Sequence, residues 1–251
     1  VEAKPLRARP LIAAVLLLAS ILGFSREIPK AQGQGQEQEE PSVRRPVLLV
    51  PGWLGRSMDM IPLKERLVRD GWKEEEVFPL EFDDPVGSSL EHAEELDRVI
   101  ETILRDTEAS EVDIVAHSMG GLAVWVLLQQ KGFLLPLHRV VFLATPFQGT
   151  VTAYLAWGAG GPEMIPENEF LKGLQKGGWP QRWVNSLAIR TPLDLTVVPG
   201  YGAPPLGIED RVVCCPTHQG LLDHEETYAL IRDFLLFGKK TGRGVGFPWL
   251  D

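Results

Sequence analysis

Six short aliphatic runs recur along the chain with helix-like patterns between them, and that alternation narrows the fold more than any single motif. The first run, Val47 to Val50, reads VLLV, and others follow at Val77 to Phe82, Val112 to Ala116, Arg139 to Ala144, Leu187 to Arg190 and Arg211 to Cys215. A strand that is apolar at every position is covered on both faces, which is the situation inside a parallel sheet. Between the runs, Met58 to Asp70 spaces Ile61, Leu63, Leu67 and Val68 along one helical face, and Leu90 to Arg105 does the same with Leu96, Val99, Ile100 and Ile103. Gly121 to Gln130 and Leu221 to Phe237 behave alike. The expectation is an α/β fold, a mostly parallel sheet of about six strands flanked by helices on both faces, forming one domain over residues 45–251.

The N-terminal residues do not belong to that domain. Lys4, Arg7 and Arg9 precede an apolar run from Leu11 to Phe24, shorter than the roughly 20 residues that span a bilayer and shaped like the core of a signal peptide. Residues 1–33 read as that peptide, with an uncleaved membrane anchor as the alternative. Small residues at Ala31 and Gly33, or at Gly23 and Ser25, offer cleavage sites, and Gly33 is preferred. Residues 34–44 read as a disordered tether, because the stretch QGQGQEQEEPS lacks the apolar side chains that would offset the entropy of ordering it. The chain is expected to be secreted, or tethered outside if the segment is retained.

The formal net charge is −9, and residues 1–33 carry five basic and two acidic side chains, so the remainder is more acidic still. An acidic body without a Lys/Arg cluster argues against nucleic acid as a partner and against electrostatic docking on anionic membrane. Cys214 and Cys215 are adjacent, and neighbours on an extended strand point to opposite faces, so two buried thiols are expected rather than a bond. Neither His-Glu-x-x-His nor paired Cys-x-x-Cys spacing occurs, so no metal or cofactor is expected.

The chemistry concentrates at strand ends, where loops vary without disturbing the core. VDIVAHSMGG, residues 112 to 121, sets Ser118 two residues after Ala116 and two before Gly120. Small residues at those positions let a sharp strand-to-helix turn present a serine hydroxyl as a nucleophile. Such a serine needs a base within reach. His218 follows the last expected strand by three residues, whereas His224 falls in a helical pattern, His92 and His138 are expected to face solvent, and His117 is expected to point elsewhere on the turn. Asp194, just past Leu187 to Arg190, is the expected acid, with Glu209, Asp210 and Asp223 as rivals. The backbone N–H groups of Met119 and Trp53 are the expected oxyanion donors, Pro51 having none. Trp53, Leu54 and Trp157 are the expected substrate contacts.

From about Arg45 to Phe237 the chain resembles an α/β-hydrolase of the small secreted bacterial lipase type. VDIVAHSMGG is similar to the nucleophile turn of the small Bacillus lipases, including Ala116 where glycine is commoner. TPLDLTVVP resembles their acid loop and THQGLL their histidine loop. Pro51-Gly52 departs from the usual His-Gly. The resemblance implies hydrolysis of carboxylic esters of lipids or small molecules through an acyl-enzyme, with Ser118, Asp194 and His218 as the triad and Trp53 and Met119 as the oxyanion hole. The segment 147–183, rich in Tyr, Trp and Leu between glycines, is longer than in the smallest such enzymes. It reads as a lid, an acyl-chain wall or an ordinary packed excursion with a short helix at Glu167 to Gln175. An acyltransferase, a thioesterase or a non-catalytic lipid-binding protein on this fold are the competing functions.

Overall fold

Each apolar run becomes a strand and each amphipathic pattern a helix in the computed structural model, which describes residues 44–179, 184–200 and 202–238. In chain order these are β1 (Val47–Val50), α1 (Ile61–Arg69), β2 (Val77–Pro79), α2 (Ser89–Thr107), β3 (Val112–His117), α3 (Gly120–Lys131), β4 (Leu137–Leu143), α4 (Gly160–Glu163), α5 (Glu169–Gly177), β5 (Asn185–Arg190), β6 (Glu209–Val212) and α6 (Glu225–Phe237). The expected signal peptide at 1–33 and most of the expected tether at 34–44 lie outside the described residues, as does Trp183. Arg44, the last residue of that tether, is described: it donates to the Asp70 carbonyl at 2.9 Å and lies over the Trp72 ring.

All six strands pair in parallel, in the order β2-β1-β3-β4-β5-β6. Strand periodicity sorts the core into two layers. Leu48, Ile114 and Phe142 face one way, against Leu96 and Ile100 of α2, Trp125 of α3 and Leu171 of α5. Val47, Leu49, Val115 and Val141 face the other, against Leu63 and Leu67 of α1 and Ile231 and Phe234 of α6. Residues 120–128 of α3 are all buried, so Gly121 to Gln130 does not present the single apolar face expected of it but is covered on all sides over that stretch.

Capping fixes where helices begin. Ser88 accepts the Glu91 N–H while Glu91 accepts the Ser88 N–H, closing a capping box on α2. Asn168 accepts the Leu171 N–H at 2.9 Å and starts α5 two residues later than the sequence pattern places the helix.

Two differences from expectation have physical causes. β6 begins at Glu209 rather than Arg211: it is an edge strand, and its charged residues are held in ion pairs, Glu209 with Arg211 and Asp210 with Arg190, so the apolar signal underestimates it. Cys214 and Cys215 are not buried thiols. They are exposed and bonded to each other. β6 ends at Val212, so the pair lies in the turn beyond the strand, where the alternation that would separate adjacent side chains no longer applies.

Candidate active site

Between β1 and β3 the order of the sheet reverses. The chain leaves β1 for β2 on one side and then crosses to β3 on the other, so the loops after β1 and β3 face each other across a crevice, where ligands of parallel sheets bind. Ser118 sits in that crevice, between the last residue of β3 and the first turn of α3. Its φ is 53°, in the left-handed region that non-glycine residues seldom enter. The Ser118 N–H donates to the Leu143 carbonyl at 2.8 Å, which ties the turn to β4. Glycines provide the room. A Cβ on Gly120 would collide with the Pro51 carbonyl, one on Gly121 with the Thr145 side chain, and one on Gly52 would lie 2.7 Å from the Ser118 Cβ.

The loop after β1 faces this turn. Leu54 donates its N–H to the Pro85 carbonyl at 2.9 Å and adopts a positive φ of 57°. Among the described residues, neither the Trp53 nor the Met119 backbone N–H donates a hydrogen bond. The Met119 N–H also sits at the start of α3, whose dipole favours negative charge.

Asp194 lies past the end of β5 and is buried. Its Oδ1 accepts the N–H groups of Thr196 at 2.9 Å and Val197 at 2.7 Å, which fixes the carboxylate plane. Its Oδ2 faces His218 Nδ1 at 2.7 Å. The two loops are joined a second time where Thr191 Oγ1 donates to the Pro216 carbonyl. The rival acids are engaged elsewhere: Asp210 with Arg190, Asp223 with Arg66 and Glu209 with Arg211. His224 caps α6 beside Thr227.

Ser118, His218 and Trp53 line one cavity of about 380 Å³, which Leu155, Ala156 and Trp157 also line. Ser118 and His218 do not hydrogen-bond to each other in the described structure, and such bonds are commonly long until substrate arrives. Trp53 and Trp157, both expected at the substrate, meet edge to face at 4.6 Å, and Trp53 Nε1 donates to the Trp157 carbonyl. Leu54 does not line the cavity. Among the described residues, no group of three or more His, Cys, Asp or Glu side chains is placed to hold a metal ion.

The segment from Phe147 onward divides in two. Its second half, through Leu171, Leu174 and Trp179, packs into the core. Its first half carries Tyr154, Leu155 and Trp157 exposed beside the cavity, with Leu155 at 84%. Ties hold this half down: Thr150 and Thr152 donate to the Thr196 carbonyl, and Glu163 accepts the Ser89 N–H at 2.7 Å.

Three histidines depart from expectation. His92 is buried, stacked on Phe82 at 3.8 Å, and His138 meets Asp113 Oδ1 at 3.0 Å, so neither simply faces solvent. His117 points toward the histidine loop rather than away from the site. Its Nε2 lies 3.2 Å from the His218 carbonyl, and the two rings are 4.6 Å apart. The strand period carries this signal: His117 shares a face with Val115, which packs on the α6 side where the His218 loop lies. Burial, and then the neighbouring His218, lower the His117 pKa to about 3.

That depression gives a testable pH dependence. The unfolded chain binds a proton at this position that the folded chain refuses between about pH 6.5 and 3, so the contribution is fully present above pH 6.5 and is lost as pH falls. Urea unfolding is expected to show about 2 kcal/mol less stability at pH 5 than at pH 8 from this residue, and a His117→Phe variant loses that component. An unchanged acid slope in the variant contradicts it.

Residues 44–129 match the family described as Lipase (class 2), a stretch that includes the Trp53 loop and Ser118 and ends before Asp194 and His218. The mature form of the Bacillus licheniformis lipase BlEst2 is similar in structure, with a TM-score of 0.66 and 14% identity over 79% of this chain and 95% of that one. Aspergillus fumigatus lipase B is similar with a TM-score of 0.60 and 21% identity over 76% of this chain, which spans 52% of its length. Identities this low speak to the fold. With its six-stranded parallel sheet and these likenesses, the chain has the α/β-hydrolase fold and resembles the lipases built on it, those of Bacillus type among them.

Proposed function

We propose that this protein is a serine hydrolase of carboxylic esters, a triacylglycerol lipase or carboxylesterase that works through an acyl-enzyme. The observation that carries the reading is one cavity holding a serine in the left-handed turn after β3 and a histidine backed at 2.7 Å by a buried carboxylate. In this reading Ser118 Oγ attacks the ester carbonyl and passes its proton to His218 Nε2. Asp194 holds the Nδ1–H tautomer and stabilises the imidazolium that forms. The Trp53 and Met119 N–H groups, free of other acceptors, take the developing oxyanion, each being worth about a hundred- to a thousandfold in rate. His218 then protonates the leaving alcohol, and water repeats the sequence to release the acid.

Among the described residues the cavity lining carries no lysine or arginine, and its one carboxylate, Asp59, accepts the Arg56 N–H; the rest suits an uncharged acyl chain, and Leu155, Ala156 and Trp157 are assigned as its wall. The ties through Thr150, Thr152 and Glu163 favour a fixed wall over a mobile lid. Export from the cytoplasm rests on the basic and apolar N-terminal sequence. Among the described residues, no helix is long and apolar enough to cross a membrane.

The test is hydrolysis of p-nitrophenyl esters from acetate to palmitate. Ser118→Ala is expected to abolish turnover, and Asp194→Asn to lower kcat by about ten thousandfold by favouring the wrong tautomer. Equal activity in Ser118→Ala sinks the reading, and product formation only with added alcohols or thioesters turns it toward acyl transfer or thioester cleavage. Gly52→Ala brings a methyl against Ser118 and is expected to cost about a hundredfold in kcat. Wild-type turnover in that variant contradicts the assigned geometry.

A further inference from the structure

Next to the proposed nucleophile stands a buried titratable group that the hydrolytic scheme does not use. His117 is the last residue of β3, and its ring turns under the sheet edge toward the loop that carries His218. A carbonyl oxygen can only accept, so the His117 nitrogen lying 3.2 Å from the His218 carbonyl carries the hydrogen. One strand end therefore holds both halves of the proposed proton transfer: Ser118 by covalent succession, and the His218 backbone by a hydrogen bond across a sequence separation of 101 residues. Asp194 fixes one ring nitrogen of His218. Thr191 holds the loop only at Pro216, two residues earlier; without a hold on the backbone of His218 itself, the imidazole could still pivot about the Asp194 contact, and its other nitrogen would sweep past Ser118.

We propose that His117 is a positioning residue of the ester-hydrolysing site, anchoring the His218 loop through its Nε2–H and bracing the His218 ring with its own. The titratable groups facing it are His218 and Asp194. Burial keeps His117 neutral, so the imidazolium that forms on His218 during turnover meets no second positive charge 4.6 Å away. A neutral donor is the state this position requires, since a carboxylate would compete with Asp194 for His218 and an ammonium would oppose its protonation.

This inference rests on the hydrolytic reading, and the experiment separates the two. The full chain, its Ser118→Ala variant, and His117→Phe and His117→Gln are compared for kcat and KM on p-nitrophenyl butyrate across the pH range, with thermal unfolding alongside. His117→Phe keeps a ring but removes the donor, and is expected to lower kcat about tenfold to a hundredfold with KM nearly unchanged and to move the acidic limb of the pH profile. His117→Gln, whose amide can donate to the same carbonyl, is expected to recover most of the loss. If His117→Phe does not fold, His117→Asn, too short to reach the carbonyl, replaces it. Wild-type kcat and pH profile in the donor-less variant overturn the proposal. So does a loss that His117→Gln shares in full, or one that leaves the pH profile unmoved, since either marks a merely structural role. Persisting activity in Ser118→Ala instead overturns the hydrolytic reading itself.

Discussion

The backbone of one residue constrains the rest of this site. Ser118 is held at a positive φ that costs on the order of 1–3 kcal/mol for a residue with a side chain, and the neighbouring structure over-determines it. Its N–H is engaged by β4, and the first turn of α3 presses on the loop after β1 through Gly120, with no space for a methyl. Gly52 closes the other side, with room for hydrogen but not for carbon against the serine. The strain is thus supported by two segments distant in sequence, β4 and the loop after β1, and it projects the hydroxyl out of the sheet into the crevice.

Everything else in the crevice is placed by the sheet. Parallel pairing brings the carboxyl ends of β1, β3, β5 and β6 to one edge, so the Trp53, Ser118, Asp194 and His218 loops converge although the residues span more than half the chain. The two-layer core makes that edge rigid. α3 is buried along residues 120–128, and a helix packed on all sides cannot rotate to relax the turn at its start. The hydrogen bonds from Thr196 and Val197 to Asp194 shape the acid loop internally, and those from Thr191 to Pro216 and between His218 and Asp194 lock it to the histidine loop.

Much of this was legible in the chain because the relevant signals are local. Runs such as VLLV alternating with helical patterns point to strands covered on both faces in a parallel sheet, and Ala-x-Ser-x-Gly at a strand end admits few turns. The contact between Asp194 and His218 was expected from their places after successive strands and from the resemblance of their loops, with Glu209, Asp210 and Asp223 as rival acids. What escaped detection depends on contacts between distant segments. His92 looks like a surface residue of an amphipathic helix, yet Phe82 from the preceding loop covers it. The charged edge strand β6 is stabilised by ion pairs that no hydropathy pattern records, and its end at Val212, three residues early, is what frees Cys214 and Cys215 to join. His117 was within reach of a stricter reading, since its parity with Val115 already assigns it to the α6 face.

The most direct measurement of the central claim is the mass of the intact protein after exposure to an active-serine phosphonate, followed by mapping of the adduct. The account expects one phosphonyl group, located on Ser118, and no labelling when His218 is replaced by alanine, because an alcohol without its base is a poor nucleophile. Labelling at another serine, or no labelling of the folded wild-type chain, would contradict the claim that this turn carries a reactive nucleophile.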